Sequence, residues 1–281
     1  MSTSNHTTGP VLVTGGTGKT GLRVVNILTE LDIEVRVGSR SEELPFDWDR
    51  EATWGPCLEG CSAAYISYAP DLAMPGAPDA IEAFCRQAKA SGVKRVVLLS
   101  GRGEVEAQKC EAIVKDSGLE WTIVRASWFN QNFSEGAFLP MIEAGNITLP
   151  AADVPEPFVD IDDIAEIAAE ALASDKHVGE LYEVTGPELL TFADLASILS
   201  DVVGREIQFT KVPHQGFIDE VAASGAPKDV LWMLDYLFAT VLDGHNAYLS
   251  DGVERALGRQ PTSFREYAEK VAASGMWQRS G

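Results

Sequence analysis

VLVTGGTGKTGLRV, residues 11–24, runs from an apolar strand-like stretch through a cluster of glycines into a helical pattern, and its reading decides the fold. Two ligands compete for such a stretch: a nucleoside triphosphate on a loop ending Gly18-Lys19-Thr20, or a dinucleotide cradled by the glycines. A triphosphate loop needs a glycine five places before the glycine of Gly-Lys-Thr. That place is Val13, whose branched side chain belongs in the strand. Gly15, Gly16, Gly18 and Gly21 instead satisfy both G-x-G-x-x-G and G-x-x-G-x-x-G. Glycines so placed turn the chain sharply, let backbone approach a pyrophosphate and seat the helix against the sheet. Gly15, Thr17, Gly18, Lys19 and Thr20 are therefore expected around the coenzyme phosphates. Arg23 either assists Lys19 there or solvates the helix.

Outward from this stretch, strand-length apolar runs alternate with helical patterns. The runs are VLVTG (11–15), IEVRVGS (33–39), AAYISY (63–68), RVVLLSG (95–101) and EWTIVRA (120–126), with a further strand expected to end at FDWD (46–49). Near-continuous Val, Ile and Leu runs separated by helices indicate a parallel sheet covered on both faces. The helices are expected over 19–31, 78–91 and 105–117, with Gly92 and Gly118 ending the last two. The fold class is α/β, a Rossmann-type doubly wound parallel sheet with a smaller C-terminal α/β lobe. Residues 1–155 are expected to form the dinucleotide-binding domain and 156–281 the substrate lobe, with 176–190 the candidate to return to the sheet. Thr191 reads as a helix cap and Gly204 as the stop of that helix.

The acidic stretch VDIDDIAE (159–166) reads as a helix N-terminus and a solvated face rather than a metal site, and no metal is expected. With 42 acidic against 22 basic residues, the formal charge of -20 repels nucleic-acid phosphates and anionic lipid. No apolar run reaches transmembrane length and the first nine residues lack the order of a secretory signal, so a cytoplasmic location is expected. Four cysteines read as buried thiols; pairing of Cys57 with Cys61 under oxidation is the alternative, but Gly60 and the AAYIS after them read as a turn entering a strand, and no redox role is expected. Monomer and homodimer stay open.

The choice of dinucleotide falls at the end of the second strand, where an acid would take the ribose hydroxyls of NAD. Gly38-Ser39-Arg40 stands there instead. Arg40 offers a guanidinium fork to a 2′-phosphate and Ser39 a neutral donor, which favours NADP(H). Asp47 is placed to bond the adenine amino group, and Trp48 is either a stacking wall or core.

TGGTGKTG (14–21), Arg40, SGLEWTIVRASWFNQNF (117–133) and PFVDIDDIA (157–165) resemble the NmrA-like atypical short-chain dehydrogenases over almost the whole chain. VGSRSEELPFDWDREATW (37–54), SWFNQNFSE (127–135), TGPELLTFADLASILSDVVGREI (185–207) and QPTSFREYAEK (260–270) are more closely similar to the ergot-alkaloid-type agroclavine and festuclavine dehydrogenases. The resemblance implies an NADPH-dependent reductase that delivers hydride to an iminium carbon. It equally admits a redox sensor, since relatives in the group bind NADP without turnover, and a quinone reductase. Short-chain dehydrogenases usually carry Tyr-x-x-x-Lys on the helix after the fifth strand, yet RGEVEAQKCEAIVKDS (102–117) has no tyrosine. Gln108 stands before Glu111 where the group often has histidine. A cationic iminium suits this absence, because hydride addition turns it into a neutral amine with no proton needed in that step.

Ligands of such sheets bind outside the carboxyl ends of the strands. Tyr68, Ala69, Pro70, Ser100 and Gly101 are candidates for the nicotinamide ribose, and Ser100, Trp128 and Gln108 for the chemistry. Trp128, Phe129, Asn132 and Phe133 are candidates to wall a flat substrate, with aromatic core as the alternative. Within 214–244, Trp232, Asp235 and Tyr236 either pack or cover a planar substrate, Asp235 then being a counter-charge for an ammonium.

Overall fold

The computed structural model describes residues 9–151 and 153–277. From the N-terminus the elements are β1 (Val11–Thr14), α1 (Lys19–Glu30), β2 (Val35–Gly38), α2 (Trp54–Leu58), β3 (Ala63–Ile66) and α3 (Ala77–Ala90). There follow β4 (Arg95–Gly101), α4 (Val105–Asp116), β5 (Glu120–Ala126), α5 (Leu139–Ala144), β6 (Asn146–Leu149) and α6 (Ile161–Ala173). The chain ends with β7 (Glu180–Val184), α7 (Phe192–Val203), β8 (Gln208–Lys211), α8 (His214–Ala223), α9 (Lys228–Tyr236), α10 (Gly252–Leu257) and α11 (Phe264–Ala273).

The chain folds into two units. The first comprises the chain up to Ala126 together with Ile161–Val184 and Asp251–Arg259. Its six-stranded sheet has the order β2-β1-β3-β4-β5-β7, parallel at every pairing. β1 and β3 are buried at every position, as a sheet covered on both faces requires. The order reverses at β1, and Thr14 ties β1 to β3 there: its hydroxyl donates to the Tyr65 carbonyl at 3.0 Å and accepts from the Ser67 amide at 2.9 Å. Within 176–190, the segment expected to return to the sheet, Glu180–Val184 forms β7 and pairs with β5. Ser91 and Ser117 cap α3 and α4, and Gly92 and Gly118 behind them carry positive φ.

Two expectations change in this unit. No strand ends at FDWD. Phe46 and Trp54 are buried instead, and Trp48 packs beside them in the core with Phe84. The Trp54 indole donates to the Asp47 carbonyl at 2.8 Å, which curls the segment into turns. All four cysteines are free and buried, and Gly60 stands in the turn that enters β3, as expected. The acidic start of α6 is paired, not solvated: Asp163 is fully buried against Arg259 at 2.8 Å, and Asp162 takes Arg23 at 2.6 Å.

The second unit comprises Ser127–Asp160, Thr185–Ser250 and Gln260 onward. Residues 127–155, expected with the dinucleotide domain, thus belong here, because Phe133, Phe138, Ile147 and Leu149 fill a core with Phe158, Phe192 and Phe264. β6 and β8 form a two-stranded parallel sheet. Thr191 caps α7 in a reciprocal pair with Asp194, and Gly204 ends that helix at φ +71°. Sequence periodicity passes over the short α5, β6 and α10, which are four to six residues long.

Candidate functional site

β1 ends in a turn whose first residue, Gly15, has φ +62°, a conformation that suits glycine. The Gly18 amide closes the turn on the Gly15 carbonyl at 2.8 Å. α1 starts directly afterwards with extended Gly18 as its cap, no side-chain cap and no acid in the first turn. Its N-terminal amides therefore face outward with the positive end of the helix dipole uncompensated, an arrangement suited to an anion. Gly21 lets the helix approach the loop: a Cβ there would lie 2.2 Å from the Gly15 carbonyl oxygen. The loop is thus a cradle that side chains would fill, which fits a dinucleotide pyrophosphate. Thr20 is buried behind it and Lys19 is half-buried. Arg23 is turned away to Asp162.

Across the loop stands the end of β2. The Thr17 hydroxyl donates to Ser39 Oγ at 3.2 Å, and Ser39 and Ser41 hydroxyls meet at 3.0 Å. Arg40 beside them is exposed and forms no ion pair among the described residues. The structure thus gathers the hydroxyls of Thr17 in the glycine loop and of Ser39 and Ser41 beyond β2, with one unengaged guanidinium beside them. Asp47 Oδ1 accepts the Asp49 amide at 3.2 Å. The Trp48 indole donates to the Ser67 carbonyl at 3.0 Å and its ring packs on Phe46 and Tyr68, which resolves the two readings of Trp48 toward core.

At the carboxyl ends of β3 and β4, Tyr68 is half-buried while Ala69 and Pro70 are exposed and joined by a cis peptide. Ser100 is buried, and its hydroxyl donates to Glu111 Oε1 at 2.7 Å. Arg125 holds the same carboxylate through Nε at 2.8 Å and NH2 at 2.5 Å. Glu183 joins Arg125 to Arg102, whose Nε lies 2.6 Å from Glu183 Oε1. Two cations and two carboxylates so balance beneath the strand ends. The proton of Ser100 is committed to Glu111, and toward a ligand this hydroxyl presents lone pairs. Gln108 is exposed, one turn from Glu111 on α4.

Glu104 and Asp71 are absent from the sequence expectations, since a Gly-Glu dipeptide and an acid after proline look like ordinary loop residues. Glu104 is 6 % exposed, and its Oε2 has no hydrogen-bond partner among the described residues. Burial first, and then the neighbouring Asp71 carboxylate, push its carboxyl up to about 9. Asp71 is raised too, chiefly by burial.

The second unit holds the remaining candidates. Trp128 is half-buried and meets Phe158, Phe192 and Phe238 at 5.6–6.5 Å. Phe129 and Asn132 are half-buried too. Phe133 is fully buried among Phe138, Phe158 and Phe264, so it is core and not a substrate wall. Trp232 and Tyr236 stack in parallel, 5.3 Å apart at 6°, on α9, a helix with no buried residue. Asp235 is bonded to His214 at 2.7 Å. Ser127 Oγ and both side-chain atoms of Asn130 are buried with no partner among the described residues.

A parallel sheet reversing at a glycine-lined anion cradle defines a dinucleotide-binding fold. Residues 15–175 match the NAD(P)H-binding family model and residues 106–269 the NmrA-like family model. The chain belongs to the NmrA-like family and carries an NAD(P)H-binding domain. It is 32 % identical over 277 residues to the uncharacterised oxidoreductase YesF of Bacillus subtilis, covering 94 % of this chain and 96 % of that one. It is also 32 % identical to agroclavine dehydrogenase of Claviceps fusiformis, covering 92 % and 95 %. Among solved structures, an NADPH-dependent quinone oxidoreductase from Escherichia coli in complex with NADPH matches at a TM-score of 0.78 with 21 % identity, covering 93 % of this chain and 99 % of that one. Among the described residues no helix is long and apolar enough to cross a membrane.

Proposed function

We propose that this protein is an NADPH-dependent reductase that adds hydride to the carbon of an iminium or imine on a small aromatic molecule. The observation that carries this reading is the state of the usual proton-donor positions: α4 has no tyrosine, and the Ser100 hydroxyl already gives its proton to Glu111. A ketone needs an acid at those positions, whereas an iminium carbon takes hydride and becomes a neutral amine. The similarity to agroclavine dehydrogenase supports the same class of electrophile.

In this reading the loop Gly15 to Gly21 and the start of α1 hold the coenzyme diphosphate. Arg40, with Ser39 and Thr17, takes the 2′-phosphate, and Tyr68 to Pro70 with Ser100 and Gly101 take the nicotinamide riboside. When bound, the reduced coenzyme supplies the hydride. Lone pairs of Ser100, fixed by Glu111 and Arg125, orient a donor group of the ligand. The ring faces of Trp128, Phe129, Trp232 and Tyr236 supply flat, electron-rich surface for a cationic aromatic substrate.

The test is a panel of cyclic imines and quinones incubated with NADPH while nicotinamide absorbance is followed. Imine-dependent oxidation of NADPH is the expected result. Oxidation by quinones alone replaces the reading with quinone reduction. No turnover, together with a melting temperature raised far more by NADP+ than by NAD+, replaces it with a redox sensor.

A further inference from the structure

Asp71 follows Pro70 beyond β3, and Glu104 stands three residues beyond the end of β4, the strand paired with β3. Two neighbouring strands thus deliver two carboxyl groups to the edge where Tyr68, Ala69, Pro70, Ser100 and Gly101 stand. The Glu104 carboxyl lies over Gly101 so closely that a Cβ there would sit 2.0 Å from Oε2. Glu104 is 6 % exposed and this Oε2 has no partner among the described residues. Asp71 accepts the Ala73 amide at 2.8 Å through Oδ1, and its side chain meets that of Glu104. Neither acid forms an ion pair among the described residues, and Arg102, two residues before Glu104, is engaged by Glu183.

Ionised carboxylates only accept hydrogen bonds, so two of them bond each other only when one carries a proton. Like charges at contact distance also resist joint ionisation. The pair accordingly keeps one proton at neutral pH, in agreement with the upward displacement of both groups.

We propose that the pair of Asp71 and Glu104 is the proton source that turns a neutral imine into the iminium that accepts hydride, a role that rests on the imine-reduction reading above. The imine nitrogen takes the shared proton through its lone pair, the carboxyl O–H bond breaks, and the pair is left with two negative charges. Hydride from the reduced nicotinamide dinucleotide then adds to the carbon, the C=N π electrons become the nitrogen lone pair, and a neutral amine and oxidised coenzyme result. A proton from solvent reloads the pair. The missing tyrosine is thereby replaced from two different loops.

E104Q and D71N test the role. In either variant an amide N–H donates to the remaining carboxylate, so the contact and the fold are retained while the transferable proton is lost. Two probes are used with NADPH, a neutral cyclic imine and its permanently cationic N-methyl iminium salt, at a pH above that at which the free imine protonates. Both variants should lower kcat on the neutral imine about 100-fold more than on the salt. Equal losses on both probes overturn the proposal and leave a structural role. Wild-type protein that reduces the salt but not the neutral imine overturns the proposal and leaves the imine-reduction reading standing. Wild-type protein that reduces neither probe overturns both. Independently of turnover, coenzyme-free wild type at neutral pH should show the infrared C=O stretch of a protonated carboxyl that E104Q lacks, and its absence from wild type overturns the proposal.

Discussion

Ser100 and Glu111 form a buried pair in which the serine hydroxyl donates to the carboxylate at 2.7 Å, and the same carboxylate receives the Arg125 guanidinium. Removing one member of such a pair strands the other. E111A leaves Arg125 without the partner that holds it against β4 and α4, and should cost about 3 kcal/mol of stability. S100A leaves the ion pair intact and should cost only about 1–2 kcal/mol. Urea denaturation of both variants and of the double mutant should show non-additive losses, because the residues touch.

Arg40 is exposed and unengaged, so R40A should leave the melting temperature within about 1 °C of wild type, in line with surface substitutions away from structural contacts. Its effect should fall on the coenzyme. Loss of a charge-assisted hydrogen bond should weaken NADP+ by about 10- to 100-fold and leave NAD+ unchanged, as read by isothermal titration. Equal weakening of both coenzymes would place the 2′-phosphate elsewhere.

Gly21 meets backbone rather than a flexible side chain, and a methyl group there has nowhere to go. G21A should destabilise the protein by about 1–3 kcal/mol, as overpacking does, and abolish detectable coenzyme binding by pushing α1 off the glycine turn. Thermal melts with and without NADP+ check both effects.

The Glu104 carboxyl is displaced from its ordinary 4.5 up to about 9 in the folded protein. Between those values the folded state holds a proton that the unfolded chain has released, so the stability contributed by neutral Glu104 is complete below about 4.5 and is lost as pH rises toward 9. Glutamine does not titrate. The difference in melting temperature, E104Q minus wild type, should therefore grow between pH 5 and pH 9, and a flat difference would show that the carboxyl ionises normally.

Phe133 and Trp232, both candidates for a substrate wall, occupy opposite environments. Phe133 is fully buried, so F133A should cost about 3–5 kcal/mol. Trp232 is 38 % exposed and stacks on Tyr236, so W232A should change stability by less than about 1 kcal/mol while raising KM for an aromatic substrate. Denaturation midpoints and steady-state kinetics separate the two.

Local patterns in the sequence determine much of this molecule. The order of small and apolar residues from Val11 to Gly21 specifies a strand, a glycine turn and a helix, because each depends on residues within one turn of one another. The parallel strands at 95–101 and 120–126, the Thr191 cap and the Gly204 stop follow from the same short-range rules. The loss of the Tyr-x-x-x-Lys relay is equally plain in the sequence. What only tertiary structure decides is which polar groups meet after long excursions of the chain. Arg23 finds Asp162 across 139 residues and Arg102 finds Glu183 across 81, so neither Arg23 as a phosphate ligand nor the acids of α6 as a solvated face survives folding. Phe46 enters the core beside Trp54 instead of extending the sheet, and Phe133 is core in its own unit. Glu104 and Asp71 gain their chemistry from being brought together and buried. The charge of a carboxyl depends on the water and donors around it, and those are set by the fold rather than by the residues beside it in the chain.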